Sequence, residues 1–507
     1  MLLKLKAIFG KSIILLFLIF IIYNIIYFIV KKPISMFFPE KFKFIWWLSY
    51  VGLIIIISTA LYFTLKKLAM KSEFINSKLA ICVILFTTIA TRILWIYNIS
   101  VIPKDDFNTY HIFASSMSKG VITGHNYIAL FPHYIGYPSL LALFYKVFGN
   151  SELIAPILNV ILSCGITLLL YKIGSRIKGT PCGFISAILW ALWPSQIFYT
   201  SLICTEYLYT FLVLFCMNFF IAFIGKKRSL LMSVILFLIF GTICAITNAI
   251  RPLALIVLIA SIIYYIFFFH EELTVRSNRN LAKAILSVFM ILGYTLTSYF
   301  ISASIEQLIG REIPKKPVGY NLYVGLNYFS SGSWNLEDSN TLSEISKETG
   351  IKPQQIHDKL FVLAIERAKS YSIKGITELM INKHRTMWIT DHDSIMYIFS
   401  GFNKDLSKLD FYKYERLLIK LSNFYYYLIL IISAIGITKL IIKKEQDTII
   451  YFVLFILGMI FAHMLVEVAG RYHFPAISFL SLVAGYSAAT SYKTDLTSTK
   501  QKLPQSL

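Results

Sequence analysis

The chain has 507 residues, of which 57% are hydrophobic, 16% aromatic and only 15% charged. Soluble domains are about 25% charged, so this composition excludes an ordinary soluble protein and indicates a polytopic membrane protein. The 48 Lys and Arg against 26 Asp and Glu give a net charge of +22, but no basic domain concentrates that charge, which disfavours nucleic-acid binding.

The chain contains about a dozen apolar segments close to the roughly 20 residues that a membrane-spanning helix needs. We predict them at 12–30, 45–65, 79–98, 153–173, 181–198, 204–224, 229–248, 252–269, 283–303, 423–442, 447–465 and 472–490. The first segment lacks a small-residue cleavage site, so we interpret it as a retained span rather than a signal peptide.

Basic residues in the short loops predict the orientation of these spans. With the amino terminus inside, almost every short inner loop carries Lys or Arg, as the positive-inside rule expects. These residues include Lys66, Lys67, Arg176, Lys178, Lys226, Lys227, Arg276, Lys443 and Lys444. The outer loop at 31–44 is an exception, because it also carries lysines. This topology places two long segments, 99–152 and 304–422, together on the outer side.

The first long outer segment begins with Pro103 and two adjacent acids, Asp105 and Asp106. Aromatic and apolar residues then recur at helical spacing and predict a short amphipathic helix at 107–119. The later stretch YPSLLALFYKVFG is apolar but too short to span. We predict that it forms an amphipathic helix in the membrane interface.

The second long outer segment is large enough for a small domain packed on the membrane region. Its stretch 319–338 is rich in Gly, Asn, Ser and Tyr, and polar helical patterns follow at 340–370 and 374–390. The predicted organisation is an N-terminal hairpin at 1–78, a catalytic transmembrane core at 79–303, an extracytoplasmic domain at 304–422, C-terminal helices at 423–490 and a cytoplasmic tail at 491–507.

Ionisable residues beside apolar spans are energetically expensive, and by default they indicate function. Asp106 or Asp105 is the candidate general base, since a carboxylate can accept the proton of an incoming hydroxyl. The structural alternative is that one of them caps the following helix. Arg251 and Arg471 are isolated guanidinium groups suited to phosphate, although snorkelling to the interface is the alternative. Glu206 begins an apolar span, where capping competes with function.

Several stretches resemble the GT-C membrane glycosyltransferases, in particular the protein O-mannosyltransferase (family 39) branch and the lipid A aminoarabinose transferases. DFNTYHIFA, at 106–114, is similar to the opening of the family's first outer loop, with an aromatic residue four positions after the aspartate. YIGYPSLLALF resembles the stretch that closes this loop. The other similar stretches are LWALWPSQIFYTSLICTEYLYTFLVL, NAIRPLAL, GLNYFSSGSWN and AGRYHFPAISFLSLVAG. The resemblance covers 80–490.

The resemblance implies the GT-C fold and an inverting transfer of a sugar from a polyprenyl-phosphate donor. The acceptor is a protein, a polymer or a lipid. Asp106 matches the catalytic aspartate, Asp105 is the second catalytic candidate, and Glu206 matches the second acidic position. The predicted donor- and phosphate-binding residues are Arg251, Arg471, His133, Lys104, His473 and Tyr110.

Dependence on a divalent cation stays open. Relatives that bind a metal often have an acidic residue in the loop-closing stretch, where this chain has Phe131, Pro132 and His133. Glu206 and His133 are the candidate ligands. The sequence contains no HExxH or CxxC motif, and it also lacks the glycine-rich patterns that bind soluble nucleotides.

The predicted fold class is therefore an all-α polytopic membrane protein of about 12 transmembrane helices, with amphipathic helices in the first outer loop and a small outer-face domain. We expect a multi-pass protein of a bacterial plasma membrane with an extracytoplasmic active site. A polymerase or ligase that uses a lipid-diphosphate oligosaccharide would also need outer arginines and stays an alternative. A lipid-linked sugar transporter is the third, but its internal repeats and midplane charges are absent from the sequence.

Overall fold

The computed structural model describes residues 2–31, 43–72, 77–226, 228–269, 279–443 and 448–489. The described chain is helical throughout, and its β-structure is limited to an isolated bridge between Val101 and Phe402. The all-helical, polytopic fold class predicted from the sequence is therefore confirmed. The outer loop at 31–44, the tail at 491–507 and several predicted inner basic residues fall wholly or largely outside the described residues.

Apart from longer irregular stretches, which include 310–318, 326–335 and 402–410, most helices of the described chain follow one another through short connections. In chain order they are α1 (Leu2–Lys31), α2 (Lys43–Ser72), α3 (Ser77–Asn98), α4 (Asp105–Ser118), α5 (His125–Leu130), α6 (Gly136–Phe148), α7 (Ile154–Lys178), α8 (Thr180–Ala191), α9 (Pro194–Phe198), α10 (Glu206–Ile224), α11 (Leu230–Ile250), α12 (Leu255–Ile263), α13 (Arg279–Ile309), α14 (Gly319–Gly325), α15 (Leu336–Ser346), α16 (Pro353–Lys369), α17 (Ile373–Trp388), α18 (Asp393–Gly401), α19 (Phe411–Lys443), α20 (Ile449–Leu465) and α21 (Phe474–Ala489). Short 3₁₀ turns cover Pro132–Ile135, Tyr199–Ser201 and Gly470–His473.

Eight of the described helices are long and apolar enough to cross a membrane, namely α1, α2, α3, α7, α10, α11, α13 and α19. A ninth span is counted if α8 and the segment Pro194–Ser201, which meet at a 60° bend, are taken together. The bend has a local cause, because Trp193 is extended ahead of Pro194 and a residue before proline disfavours the helical conformation. All twelve predicted apolar segments are helical, but those near 252–269, 447–465 and 472–490 form shorter helices.

Small residues let the buried helices approach closely. A side chain at Gly241 of α11 would meet the Met290 carbonyl of α13, and one at Gly293 would meet the Leu238 carbonyl of α11. Such close approach is characteristic of helix pairs in membranes. The last helix, α21, is buried along its whole described length, so the site residues just before it are attached to the rigid interior.

The two long polar segments pack against each other at one end of the bundle. The His357 imidazole of α16 is 3.1 Å from the Leu130 carbonyl of α5, and the rings of Phe131 and Tyr320 lie 5.6 Å apart. The predicted helix at 107–119 is α4, and YPSLLALFYKVFG lies within α6 except for its last residue, Gly149. The latter buries Tyr137 and Leu141 and leaves other apolar residues exposed, as an interfacial helix would.

Candidate active site

Four helix ends and turns bring the predicted acids and arginines together. Asp106 is in the first turn of α4, and Glu206 is the first residue of α10. Arg251 follows α11 in extended conformation, because Pro252 comes next. Arg471 lies in the turn Gly470–His473 before α21. The four side chains form two ion pairs, which a third contact joins into one chain of charges.

Asp106 is bound through both carboxylate oxygens. The Arg471 guanidinium donates to Oδ2, and the Tyr134 hydroxyl donates to Oδ1 at 2.8 Å. The Asp106 side chain is nevertheless 34% exposed, whereas that of Arg471 is 11% exposed. Burial in the cleft raises the pKa of Asp106, but Arg471 and Tyr134 outweigh it and hold this pKa below its usual value. Asp106 is therefore an ionised and accessible carboxylate at neutral pH.

Asp105 and Lys104 have different surroundings. Both are exposed, and Asp105 has a left-handed backbone with φ of 50°. The N-cap residue of α4 is Lys104, and no side chain caps this helix end. The capping alternative is therefore not realised by either aspartate, although acids in a first turn interact favourably with the helix dipole. The structure places Asp106 in the charged cluster and Asp105 at its margin.

Glu206 is shared between the two arginines. Its Oε1 lies 3.0 Å from Arg251 Nη1 and 3.9 Å from Arg471 Nε. The glutamate is 1% exposed and Arg251 is 12% exposed. Removing one partner from a buried ion pair leaves an uncompensated charge, whereas the intact pair offsets the cost of desolvation. Glu206 therefore holds Arg251 by a hydrogen bond and acts as a second counter-charge for Arg471.

Aromatic rings enclose the arginines. The Arg471 guanidinium carbon lies 5.4 Å from the centre of the Phe107 ring and 5.6 Å from that of Tyr397. Arg251 lies 4.8 Å from the centre of the Tyr472 ring. Such contacts stabilise a cation and exclude water from it. Tyr110, one helical turn after Asp106, is buried and stacks on Tyr134, so it supports the hydroxyl that binds Asp106.

The two predicted histidines differ in what they can bind. Burial, together with the charge of Arg251, lowers the pKa of His133 to about 4. His133 is therefore neutral near pH 7, and it can donate a hydrogen bond to phosphate without adding charge. His473 is engaged at both ring nitrogens, by the Met387 carbonyl and, at 3.1 Å, by Asp391 Oδ1. Since both partners are acceptors, His473 is an imidazolium that holds the Arg471 turn in place.

The segment 304–422 also fixes the residues before Arg471, through side chains that the sequence did not single out. Lys383 of α17 is 1% exposed, and its ammonium donates to the carbonyls of Gly325 and Val466. Burial lowers the pKa of Lys383 to about 7. The Glu467 amide donates to the Asn321 carbonyl at 2.9 Å. The sequence pattern that could have identified Lys383 is its helical spacing from Leu379 and Met387, which places it on the buried face of α17.

The acids of the site do not fit a divalent cation. Within the described ranges, no three His, Cys, Asp or Glu side chains come together as metal ligands would. Asp106 and Glu206 are paired with guanidinium groups, and the Glu467 carboxylate accepts from the Tyr472 hydroxyl at 3.0 Å. The positive charge beside these carboxylates is supplied by Arg251 and Arg471.

The shared role of Glu206 gives a prediction about stability. Replacing Glu206 by glutamine is expected to destabilise the protein by about 3–5 kcal/mol, because the buried Arg251 guanidinium loses its ion-pair partner and Arg471 loses one of the two carboxylates beside it. The loss would be measured as a lower midpoint of thermal unfolding in detergent. The matched control is Glu312→Gln, which breaks an exposed pair with Lys352 worth at most about 1 kcal/mol. Equal midpoints for both variants would contradict the shared role.

Comparison of the sequence with protein-family models and with curated proteins finds no match. Among solved structures, the chain is similar to the archaeal oligosaccharyltransferase AglB from Archaeoglobus fulgidus in complex with an inhibitory peptide and a dolichol-phosphate, at a TM-score of 0.45 and 11% identity. The match covers 86% of this chain and 53% of AglB, so the chain spans about half the length of that protein.

The chain is also similar to ArnT from Cupriavidus metallidurans. The structure of ArnT bound to undecaprenyl phosphate matches at a TM-score of 0.35 and 11% identity, and covers 86% of this chain and 82% of ArnT. The apo structure matches at a TM-score of 0.33 and 12% identity, over 85% of this chain and 80% of ArnT. At this level of similarity, these structures do not establish a function for the chain.

Proposed function

We propose that the protein is an inverting GT-C glycosyltransferase that moves a sugar from a polyprenyl-phosphate donor to an acceptor at the outer face of a bacterial plasma membrane. The observation that carries the proposal is the accessible, ionised Asp106 beside two buried arginines, Arg471 and Arg251. A base next to a cationic anchor for a leaving phosphate is what one displacement at an anomeric carbon requires. The resemblance of the quoted stretches to family 39 and to the aminoarabinose transferases agrees with this chemistry.

The arrangement of charges suggests the order of events. A donor phosphate that binds Arg471 competes with Asp106 for the same guanidinium group, and so leaves the carboxylate free to act. Asp106 then accepts the proton of the acceptor hydroxyl while the oxygen of that hydroxyl attacks the anomeric carbon. The bond from that carbon to the phosphate oxygen breaks, and its electron pair leaves with the phosphate. The two arginines stabilise the charge that develops there.

The remaining residues orient these groups. Tyr134 holds one oxygen of Asp106, and Glu206 holds Arg251 by a hydrogen bond while its charge lies beside Arg471. No carboxylate is needed as a nucleophile, because a single displacement inverts the anomeric centre without a covalent intermediate. Since the site does not fit a divalent cation, no step of the proposed reaction depends on one.

The proposal is tested with the purified full-length protein in detergent or lipid. The protein is incubated with a panel of polyprenyl-phosphate monosaccharides, and the release of polyprenyl phosphate is measured by mass spectrometry. Release from at least one donor, with inverted configuration in the product, is the expected result. Consumption of a lipid-diphosphate oligosaccharide instead would favour the polymerase or ligase alternative and contradict the proposal.

The ion pair of Asp106 predicts the acid limb of the pH profile. The folded-state pKa of Asp106 is held below its usual value, so its ionised form persists as the pH falls towards 4 and is lost only as the pH passes through the lowered pKa. The kcat/KM for the donor, which reports the free enzyme in which this pair is intact, is therefore expected to show no loss due to Asp106 between pH 7 and pH 5. A loss of activity centred above pH 5 that changes in Asp106→Glu, and not in other variants, would show that the pKa of Asp106 is not lowered by its ion pair.

A further inference from the structure

A rigid loop of the outer domain presents aromatic rings to solvent next to the active site. This segment, residues 327–336, consists of the connection from α14 to α15 and the first residue of α15, and will be called the aromatic loop. Its Phe329 side chain is 93% exposed, Trp334 is 58% exposed and Leu336 is 65% exposed. The three side chains lie within eight residues of sequence, and a contiguous group of exposed apolar side chains indicates an interaction surface.

The aromatic loop is held in one shape by a buried carboxylate. Asp338 is fully buried, and its oxygens accept hydrogen bonds from Asn327, Asn335 and Arg367. The Asn327 side chain in turn accepts from the amides of Phe329 and Ser330. Fixing a recognition loop before binding lowers the entropy lost when a partner binds. The exposed rings are therefore presented by a preorganised frame.

The aromatic loop is also joined to the active site. The Gly332 carbonyl accepts from the Val468 amide at 2.9 Å, and Val468 lies three residues before Arg471. Gly332 has a positive φ of 73°, and a side chain there would meet the stem of Lys383, so this close contact requires glycine. A molecule bound on the aromatic loop therefore lies beside the segment that carries the phosphate-binding arginine.

The chemistry of the surface identifies the class of partner. Residues 319–336 carry no charged side chain, and Ser, Asn and Gly alternate with the aromatic residues. An anionic lipid surface or an anionic polymer would need lysines or arginines. The described residues of the loop form neither a strand edge nor a helical groove, which are the usual surfaces for peptides. Separate aromatic faces beside hydroxyl and amide groups match sugar rings, which have one apolar face and a rim of hydroxyls.

We propose that the aromatic loop binds a neutral saccharide chain, and that this chain is the acceptor of the transferred sugar. The acceptor role of the saccharide rests on the proposed function. The binding of saccharide to the aromatic loop is independent of it. Phe329 and Trp334 stack on sugar rings and determine acceptor affinity, and neither residue takes part in the reaction at the donor.

The test uses the full-length protein in detergent and saturation-transfer NMR with two neutral oligosaccharides, maltohexaose and chitohexaose. At least one is expected to receive saturation at its ring protons from the wild type, and at least fivefold less from the double variant Phe329→Ser/Trp334→Ser. The control is Leu406→Ser, which removes another exposed side chain, 70% exposed, between α18 and α19 and outside the aromatic loop; this variant should bind as the wild type does.

A second measurement separates this inference from the proposed function. Release of polyprenyl phosphate to water, without an acceptor, is expected to be unchanged in the double variant, since the donor site is intact. Normal donor turnover with equal saccharide binding by all variants would overturn the inference and leave the proposed function standing. Saccharide binding that depends on the aromatic loop, without any donor turnover, would support binding by the loop and overturn the proposed function. Absence of binding of both probes by the wild type, or loop-dependent binding to phosphatidylglycerol vesicles instead, would also overturn the inference.

Discussion

Replacing Asp106 by asparagine is expected to lower sugar transfer by roughly 10²–10⁴-fold, the usual contribution of a general base. Asparagine has nearly the same shape, and its one side-chain oxygen can still accept from Arg471 while its amide group faces the Tyr134 hydroxyl. It cannot accept the proton of the acceptor hydroxyl. The measurement is the initial rate of polyprenyl-phosphate release in the presence of acceptor. Thermal unfolding of the variant would establish that the protein remains folded.

The neighbouring carboxylate supplies the matched control for this variant. Asp105→Asn removes the same charge one residue away, and asparagine tolerates the left-handed backbone found there. Asp105 is exposed, so we expect its replacement to change the rate by only about twofold, as surface substitutions of roughly 0.5 kcal/mol do. An equal loss in both variants would show that the base is wrongly assigned, or that the pair acts through charge alone.

The membrane helices could be predicted from the sequence because hydropathy is a local property. Each of the twelve apolar segments lies on a helix of the described chain. The lengths of these helices were harder to predict from the sequence, since helix ends depend on breaks such as those at Pro194 and Pro252. The aromatic spacing after Asp106 likewise placed α4 correctly to within a few residues.

The pairing of the site residues could not be predicted in the same way. Asp106 and Arg471 are 365 positions apart, and nothing in either local sequence specifies the other as its partner. The sequence nominated His473 for phosphate because it stands beside Arg471, whereas its ring nitrogens are engaged by Asp391 and a backbone carbonyl. Asp391 and Lys383 were not nominated, because a charged residue in a polar segment is ordinarily exposed.

The second large effect is expected from Arg471→Lys, which should lower transfer by about 10²–10³-fold, the usual cost of losing a preorganised donor to developing negative charge. Arg471 reaches Asp106 through one guanidinium nitrogen and Glu206 through another. A lysine ammonium is a single point charge on a flexible stem and cannot hold both carboxylates while binding phosphate. The rate of polyprenyl-phosphate release and the apparent affinity for the donor would be measured together.

The double variant distinguishes a shared catalytic unit from two separate defects. Because Asp106 and Arg471 are in contact, their effects should not add, and Asp106→Asn/Arg471→Lys should be no slower than the worse single variant by more than about threefold. The control is Arg311→Lys, at an exposed outer arginine, which should leave the rate unchanged. Fully multiplicative losses would contradict the coupling, and a wild-type rate in Arg471→Lys would show that Arg251 alone is sufficient to hold the donor phosphate.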